Sequence, residues 1–253
     1  MGPSIYAIPL SGSSTMPRQL LTVDERRKLA LIASIRRFSP GEFLFHEGEP
    51  ATVIFNIIAG VAKSVSSLED GRQAVVAFFF SHDLVGMFEA SRYAQSTQAV
   101  TALTAYCLPI DALERMLRHD PNLQLHFLCK VSHELRAAQH QAIALGRYGA
   151  LQKIGLFLDF LDRHPDMHTD DDDRITIPMD RADIADHVGL TIESVSRMLQ
   201  QLHRTGVIQL DGRHRFRIIN RCALNRLISG AMATDATLDA FIPEHNHSNG
   251  HTS

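Results

Sequence analysis

Three side chains on one short segment have the types and spacing to read DNA bases. Glu193, Ser196 and Arg197 stand at i, i+3 and i+4, so on a helix they share a face and point the same way. A carboxylate accepts from cytosine N4 and a guanidinium donates two bonds to guanine O6 and N7, which suits a C·G or G·C step. Taken alone, Glu193 and Arg197 read more simply as an ordinary surface ion pair worth a few tenths of a kcal/mol. The residues before them decide between the two readings.

From Asp180 to Leu199 the chain reads as two short helices joined by a tight turn. Ala185 is small where the helices must approach, Gly189 can take the positive φ of the turn, and Thr191 is placed to N-cap the second helix. Ile184, Val188, Leu190, Val195, Leu199 and Leu202 fall on faces that must be buried. Beyond them, Gly206 to Leu210 and Arg215 to Ile219 read as strands about an Asp211-Gly212 hairpin turn. The unit is a winged helix-turn-helix. From Arg174 to Arg221 eight arginines stand against five carboxylates, a local net of +3 in a chain whose net charge is −3. Phosphate contacts are expected from Arg213, His214 and Arg215 on the wing and from Thr191 and Ser194 at the helix start; such contacts position without specifying sequence.

The other half is built to a different period. Between Arg36 and Ile110 short apolar strands alternate with glycine turns, the pattern of a small barrel or sandwich. Between the halves, Pro121 to Arg147 reads as one long helix. Leu128, Val131, Leu135, Ala138, Ala142 and Leu145 keep a 3-4 spacing along it, an a/d seam on which two copies would pair. His119, His126, His133 and His140 recur every seven residues on another face. Successive members lie about 10 Å apart, too far to share one metal ion, so no metal site is assigned. The stripe is expected to face the N-terminal half or water.

At 253 residues, 45% hydrophobic and 21% charged, the chain suits two modest domains. The expected fold class is α+β. No run approaches 18 uncharged apolar residues and no signal pattern opens the chain, so a cytoplasmic protein without membrane contact is expected. The Asp170 to Asp173 run reads as a solvated loop, and His245, His247 and His251 fit no closed metal site. Motifs for hydrolase, phosphate-loop or zinc-protease chemistry are missing, so the chain is not read as an enzyme.

The run Leu190 to Arg197, with its Glu-x-x-Ser-Arg, resembles the recognition helix of the FNR/FixK branch of the CRP/FNR family of bacterial regulators, and the similarity extends from about Leu20 to Ile228. The cyclic-AMP receptor branch carries Arg before the Glu and Gly before the Arg, where this chain has Ile192 and Ser196. The resemblance implies a homodimeric transcription activator that binds double-stranded DNA at a TTGAT-N4-ATCAA palindrome and contacts RNA polymerase, through surfaces such as Ser66 to Arg72 and Asp111 to Arg118. Its implied role is control of low-oxygen, nitrogen-oxide or nitrogen-fixation genes. It implies the following division: a flexible N-terminus at 1–18, a cyclic-nucleotide-type β-roll sensor at 19–119, a dimerisation helix at 120–147, the winged domain at 148–230 and a largely disordered tail at 231–253.

Within that family the nucleotide pocket uses a Glu beside a phosphate helix and an Arg-Ser pair, whereas this chain has Ser96 and Thr97 at the matching place. A buried phosphate without its guanidinium is costly, so cyclic AMP is not expected to bind; Arg92, from a shifted position, is the alternative source of charge. The oxygen-sensing branch holds an iron–sulfur cluster on four thiolates, and only Cys107, Cys129 and Cys222 are present. No cofactor is therefore expected, with thiol oxidation at Cys107 or Cys222 as a possible control. Haem is the alternative, since His46 and His82 are among the histidines of the sensor half. The charged seam residue that weakens the oxygen-sensing dimer is matched here by Ala138, which implies a constitutive dimer. A regulatory module of a larger signalling assembly is the reading from another class.

Overall fold

The computed structural model describes residues 23–67, 73–86, 88–169 and 173–230; the two ends, most of the Ser66 to Arg72 loop and most of the Asp170 to Asp173 run lie outside them. After helix α1 (Val23–Ile32) come β1 (Ser34–Phe38), β2 (Phe43–Phe45), β3 (Val53–Ala59), β4 (Ala62–Ser67), β5 (Gln73–Phe79), β6 (Leu84–Val85), β7 (Phe88–Glu89), β8 (Arg92–Tyr93), β9 (Ser96–Ala99) and β10 (Leu103–Pro109). They form two antiparallel sheets, ordered β1-β10-β3-β6 and β2-β9-β4-β5, with β7-β8 as a separate hairpin. Alternation supplies the inner faces: Phe55 and Ile57 of β3 point inward with almost no exposure, as a half-buried strand of period two requires. The roll's interior is aromatic. Phe45 stacks on Tyr93 at 3.8 Å between ring centroids and on Phe55 at 5.7 Å.

Helices α2 (Ile110–His119) and α3 (Pro121–Arg147) follow. Asp120 caps α3 by accepting from the Leu123 N–H at 3.1 Å, and Pro121 takes the first helical position, where a missing N–H costs nothing. Leu123 roots this end in a cluster with Leu29, Leu108 and Leu113. Of the heptad histidines, His126 is half-buried while His119 and His140 are exposed; the side chain of His133 lies outside the description.

The C-terminal part comprises α4 (Ala150–Asp162), β11 (Ile175–Thr176), α5 (Arg181–Val188), α6 (Ile192–Arg204), β12 (Ile208–Asp211), β13 (Arg215–Ile218) and α7 (Arg221–Ile228). Asp159 and Asp162 read in sequence as the polar face of α4. In the fold Asp159 is 8% exposed, and both carboxylates hold Arg221 at the start of α7, with Arg163 also on Asp159 at 2.6 Å. They pin α4 to α7.

The two parts share one core. Val61, Val65, Phe78 and Phe80 of the β-roll are buried in the same cluster as Phe157, Leu158, Ile184, Val195 and Leu199 of the C-terminal part. Phe78 meets Phe157 edge-on at 6.2 Å and Phe80 meets Phe160 at 5.4 Å. Interfaces between domains of one chain are ordinarily more polar than this.

One backbone position tests the roll. Gly60 has φ +94°, and a Cβ there would lie 2.3 Å from the Ala102 carbonyl oxygen. Gly60→Ala is expected to lower stability by well over 1 kcal/mol, because strain and a clash with backbone act together; a urea midpoint within error of the parent would contradict the packing described.

Candidate nucleic-acid interface

Helix α5 ends on Gly189 at φ 63°, ψ 49°, with the Leu190 N–H donating to the Ala185 carbonyl at 2.8 Å. That left-handed cap turns the chain within a few residues, and it brings Gly189 against a methyl of Leu145 from α3. Thr191 then caps α6, its side chain accepting from the Ser194 N–H at 3.2 Å. Val195, Leu199 and Leu202 of α6 are buried. The opposite face is left outward, so Glu193, Ser196 and Arg197 are all exposed. Arg197 Nη2 donates to the Ser194 hydroxyl at 3.3 Å, which steadies the guanidinium along the helix. The Glu193 backbone N–H and the Thr191 hydroxyl hold the Glu193 carboxyl below the usual carboxylate range, so it presents acceptors only.

The wing is the sheet β11-β13-β12, turned at Asp211-Gly212. Its three expected phosphate residues are not equivalent. Arg215 pairs with Asp211 at 3.0 Å and Asp211 also takes Arg174 at 3.0 Å. His214 turns Nδ1 toward the Ile177 carbonyl at 3.2 Å. Arg213 extends its charge at the exposed tip. At the helix start the Thr191 and Ser194 hydroxyls lie 3.1 Å apart and are occupied by the cap.

Along α3, Leu128 is 61% and Leu135 60% exposed, with Val131, Ala138 and Ala142 also open and flanked by the exposed Leu125. An apolar stripe of this length is left uncovered in the single chain. Leu145, at its end, also reaches the Gly189 turn, so the last seam position touches the helix-turn-helix.

In the roll, the stretch that would cradle a phosphate is a hairpin rather than a helix. Ala90 and Ser91 form its turn at φ 48° and 62°. Ser96 and Thr97 are buried in β9, paired with β4, and the Ser96 hydroxyl accepts from the Glu47 N–H at 2.9 Å. Arg92 is exposed, and its Nη1 donates to the Gly48 carbonyl at 2.5 Å. Tyr93 fills the interior, its hydroxyl donating to the Val53 carbonyl at 2.8 Å. Cys107 is buried and burial pushes its thiol up, away from the thiolate that oxidation requires. Cys222 is exposed on α7. His46 stacks on Phe43 at 4.4 Å and His82 occupies a turn at φ 75°. Among the described residues no three His, Cys, Asp or Glu gather as a metal site, and no helix is long and apolar enough to cross a membrane.

Residues 35–120 match the cyclic nucleotide-binding domain family and residues 152–227 the Crp-like helix-turn-helix domain family. The nitrogen fixation regulation protein FixK of Azorhizobium caulinodans is 30% identical over 230 residues, covering 88% of this chain and 93% of that one. The chain belongs to the CRP/FNR family. A CRP/FNR protein with these two domains is a DNA-binding regulator of transcription, not an enzyme. The transcriptional activatory protein AadR of Rhodopseudomonas palustris is 34% identical over 176 residues, covering 68% of this chain and 72% of that one. The solved structure of FixK2 from Bradyrhizobium japonicum superposes with a TM-score of 0.73 at 28% identity, covering 80% of this chain and all of that one.

Sequence reasoning about this CRP/FNR chain passed over two residues beside the interface. Arg181 opens α5, and its Nη2 donates to the Arg213 carbonyl at 2.8 Å, tying the wing tip to the helix; Nη1 is buried with no hydrogen-bond partner. The available signal was a cation at a helix N-terminus, opposed to the macrodipole. His187 closes α5 and packs edge-on against both the Phe78 and the Phe157 rings, at 4.9 and 6.3 Å. Gln141 of α3 donates to its backbone carbonyl at 2.8 Å. Nothing in its sequence context marks it.

Burial drives His187 down to about 4, while the Val75 and Val76 carbonyls and the Asp186 carboxylate pull weakly the other way. The unfolded chain therefore binds a proton near pH 6.5 that the native chain resists. Stability from this group is complete above pH 6.5 and is lost as pH falls toward about 4, by about 3 kcal/mol in all. Urea midpoints of the parent and His187→Gln across pH 7 to 4.5 check this: the parent should fall more steeply, and equal slopes would refute it.

Proposed function

We propose that this CRP/FNR regulator is a homodimeric activator that reads a TTGAT-N4-ATCAA palindrome and does so without cyclic AMP or an iron–sulfur cluster. The observation that carries the reading is the outward face of the capped helix α6. There an ionised Glu193 and a steadied Arg197 stand one turn apart, with Ser196 between them on the same surface. Glu193 would accept from cytosine N4 and Arg197 would donate to guanine O6 and N7. Arg213 at the wing tip, with Arg215, His214, Thr191 and Ser194 in lesser roles, would set register through phosphates.

The uncovered stripe from Leu128 to Ala142 supports pairing of two α3 helices. A two-fold dimer would place two recognition helices about 34 Å apart on one face of DNA and so demand an inverted repeat. Ala138 puts no charge on that seam. Independence from cyclic AMP is supported by the hairpin in place of a phosphate helix and by the engagement of Arg92 with Gly48. Likeness to proteins named for nitrogen fixation regulation and transcriptional activation supports low-oxygen or nitrogen-related target genes and contact with RNA polymerase.

Aerobically purified, effector-free protein should bind a TTGAT-N4-ATCAA duplex selectively over TGTGA-type and scrambled duplexes at fixed salt; binding none of the three selectively would sink the proposal. Sedimentation at micromolar concentration should show a dimer. Glu193→Ala or Arg197→Ala is expected to cost about 1–3 kcal/mol on the cognate duplex and to relax base preference locally. Arg213→Ala should instead weaken all duplexes about equally and flatten the salt dependence, and a change confined to the cognate duplex would remove it from the phosphate set.

A further inference from the structure

Helix α5 carries two carboxylates, Asp183 and Asp186, and a third, Asp180, stands at its N-cap, at intervals of three residues. In a helix-turn-helix the first helix crosses the DNA backbone while the second enters the groove. Acidic groups on the crossing helix and at its start would oppose phosphates unless they were turned away or neutralised. The β-roll does this for two of them. Lys63 Nζ on β4 lies 2.6 Å from Asp183 Oδ1, with only 18% of either side chain exposed. The backbone N–H of Val75 on β5 donates to Asp186 Oδ2 at 2.5 Å. Strand β5 is the edge of its sheet, so α5 covers that edge where Asp186 meets it.

These two contacts and the His187 ring against Phe78 hold α5 along its length. Helix α5 shares a buried core with α6 through Ile184, Val188, Val195 and Leu199, and the left-handed Gly189 leaves little freedom between the two. Whatever fixes α5 therefore fixes the angle at which α6 meets DNA. We propose that Lys63, in the sensor domain and 120 residues from its partner, is a positioning residue for DNA binding: it neutralises Asp183 and orients α5 so that α6 is presented to the groove. The proposal rests on the reading of α6 as the base-reading helix. Because its charge is spent on Asp183, Lys63 makes no phosphate contact of its own.

The full-length chain carries the test, by fluorescence anisotropy on the TTGAT-N4-ATCAA and scrambled duplexes over a range of salt. Thermal melting and sedimentation on the same samples verify that each variant is folded and of parental oligomeric state. Lys63→Met should weaken cognate binding by about tenfold, the equivalent of roughly 1.4 kcal/mol, with the salt slope unchanged. Lys63→Arg should stay near the parent, and the charge exchange Lys63→Asp with Asp183→Lys should recover most of the loss. A folded Lys63→Met protein with parental affinity would overturn the proposal. So would a flattened salt slope with equal loss on both duplexes, which would make Lys63 a direct phosphate contact. Glu193→Ala, run alongside, separates the two claims. Loss of discrimination there with parental Lys63→Met binding leaves the reading of α6 standing and removes only Lys63. Failure of the parent to discriminate the duplexes removes both.

Discussion

The apolar cluster that runs from the β4-β5 ribbon into the winged domain is the contact on which the rest of this molecule depends. It buries Val65 and Phe78 with Phe157, Ile184 and Val195, and at roughly 25 cal/mol for each Å² of apolar surface removed from water a cluster of this extent outweighs any single polar contact around it. Its consequence is orientation. Helix α6 is amphipathic, so sinking Val195, Leu199 and Leu202 into that cluster leaves Glu193, Ser196 and Arg197 facing out. A helix-turn-helix hung on a loose linker would display the same side chains without aiming them.

The polar contacts around this core act by selecting one arrangement. Lys63 with Asp183, Asp186 with the Val75 N–H, and Asp159 and Asp162 with Arg221 are all partly buried. Partly buried ion pairs return little net stability once desolvation is counted, yet breaking one leaves an uncompensated charge. They therefore penalise alternative dockings of α5 and α7 more than they deepen the native one. His187 belongs to the same logic. Held neutral by burial against aromatic rings, it is expected to favour the interface near neutral pH and oppose it in acid.

The sensor half follows a different economy. Its interior is filled by its own aromatic rings, Tyr93 on Phe45 and Phe45 on Phe55. Where the family's fold carries a phosphate helix, this chain makes a hairpin whose Arg92 is bound to a main-chain carbonyl. The same Phe78 that joins the winged domain belongs to a strand of this roll, so the roll and the helix-turn-helix part are packed through one core. The exposed stripe on α3 runs beside it and ends at Leu145, which touches the Gly189 turn.

Local chemistry explains what could be read before any coordinates. The α5-turn-α6 unit was legible because each requirement is met within a few residues: Gly189 for a left-handed cap, Thr191 for the N-cap, and a 3.6-residue period for the buried face of α6. The α+β class was legible from the change of period between the two halves, and the branch of the family from the types at Ile192, Glu193, Ser196 and Arg197. What the linear chain did not reveal is every role created by distant partners. Asp159 looked like a surface carboxylate and is buried against Arg221, Arg215 makes an ion pair with Asp211 that its position in the chain did not announce, and Lys63, Asp183 and His187 carried no mark at all. The physical reason is that periodicity and capping act over one or two helical turns. Burial, charge pairing and a displaced pKa depend instead on which residues the tertiary fold brings within a few ångströms, and for Lys63 and Asp183 only the folded interface does that.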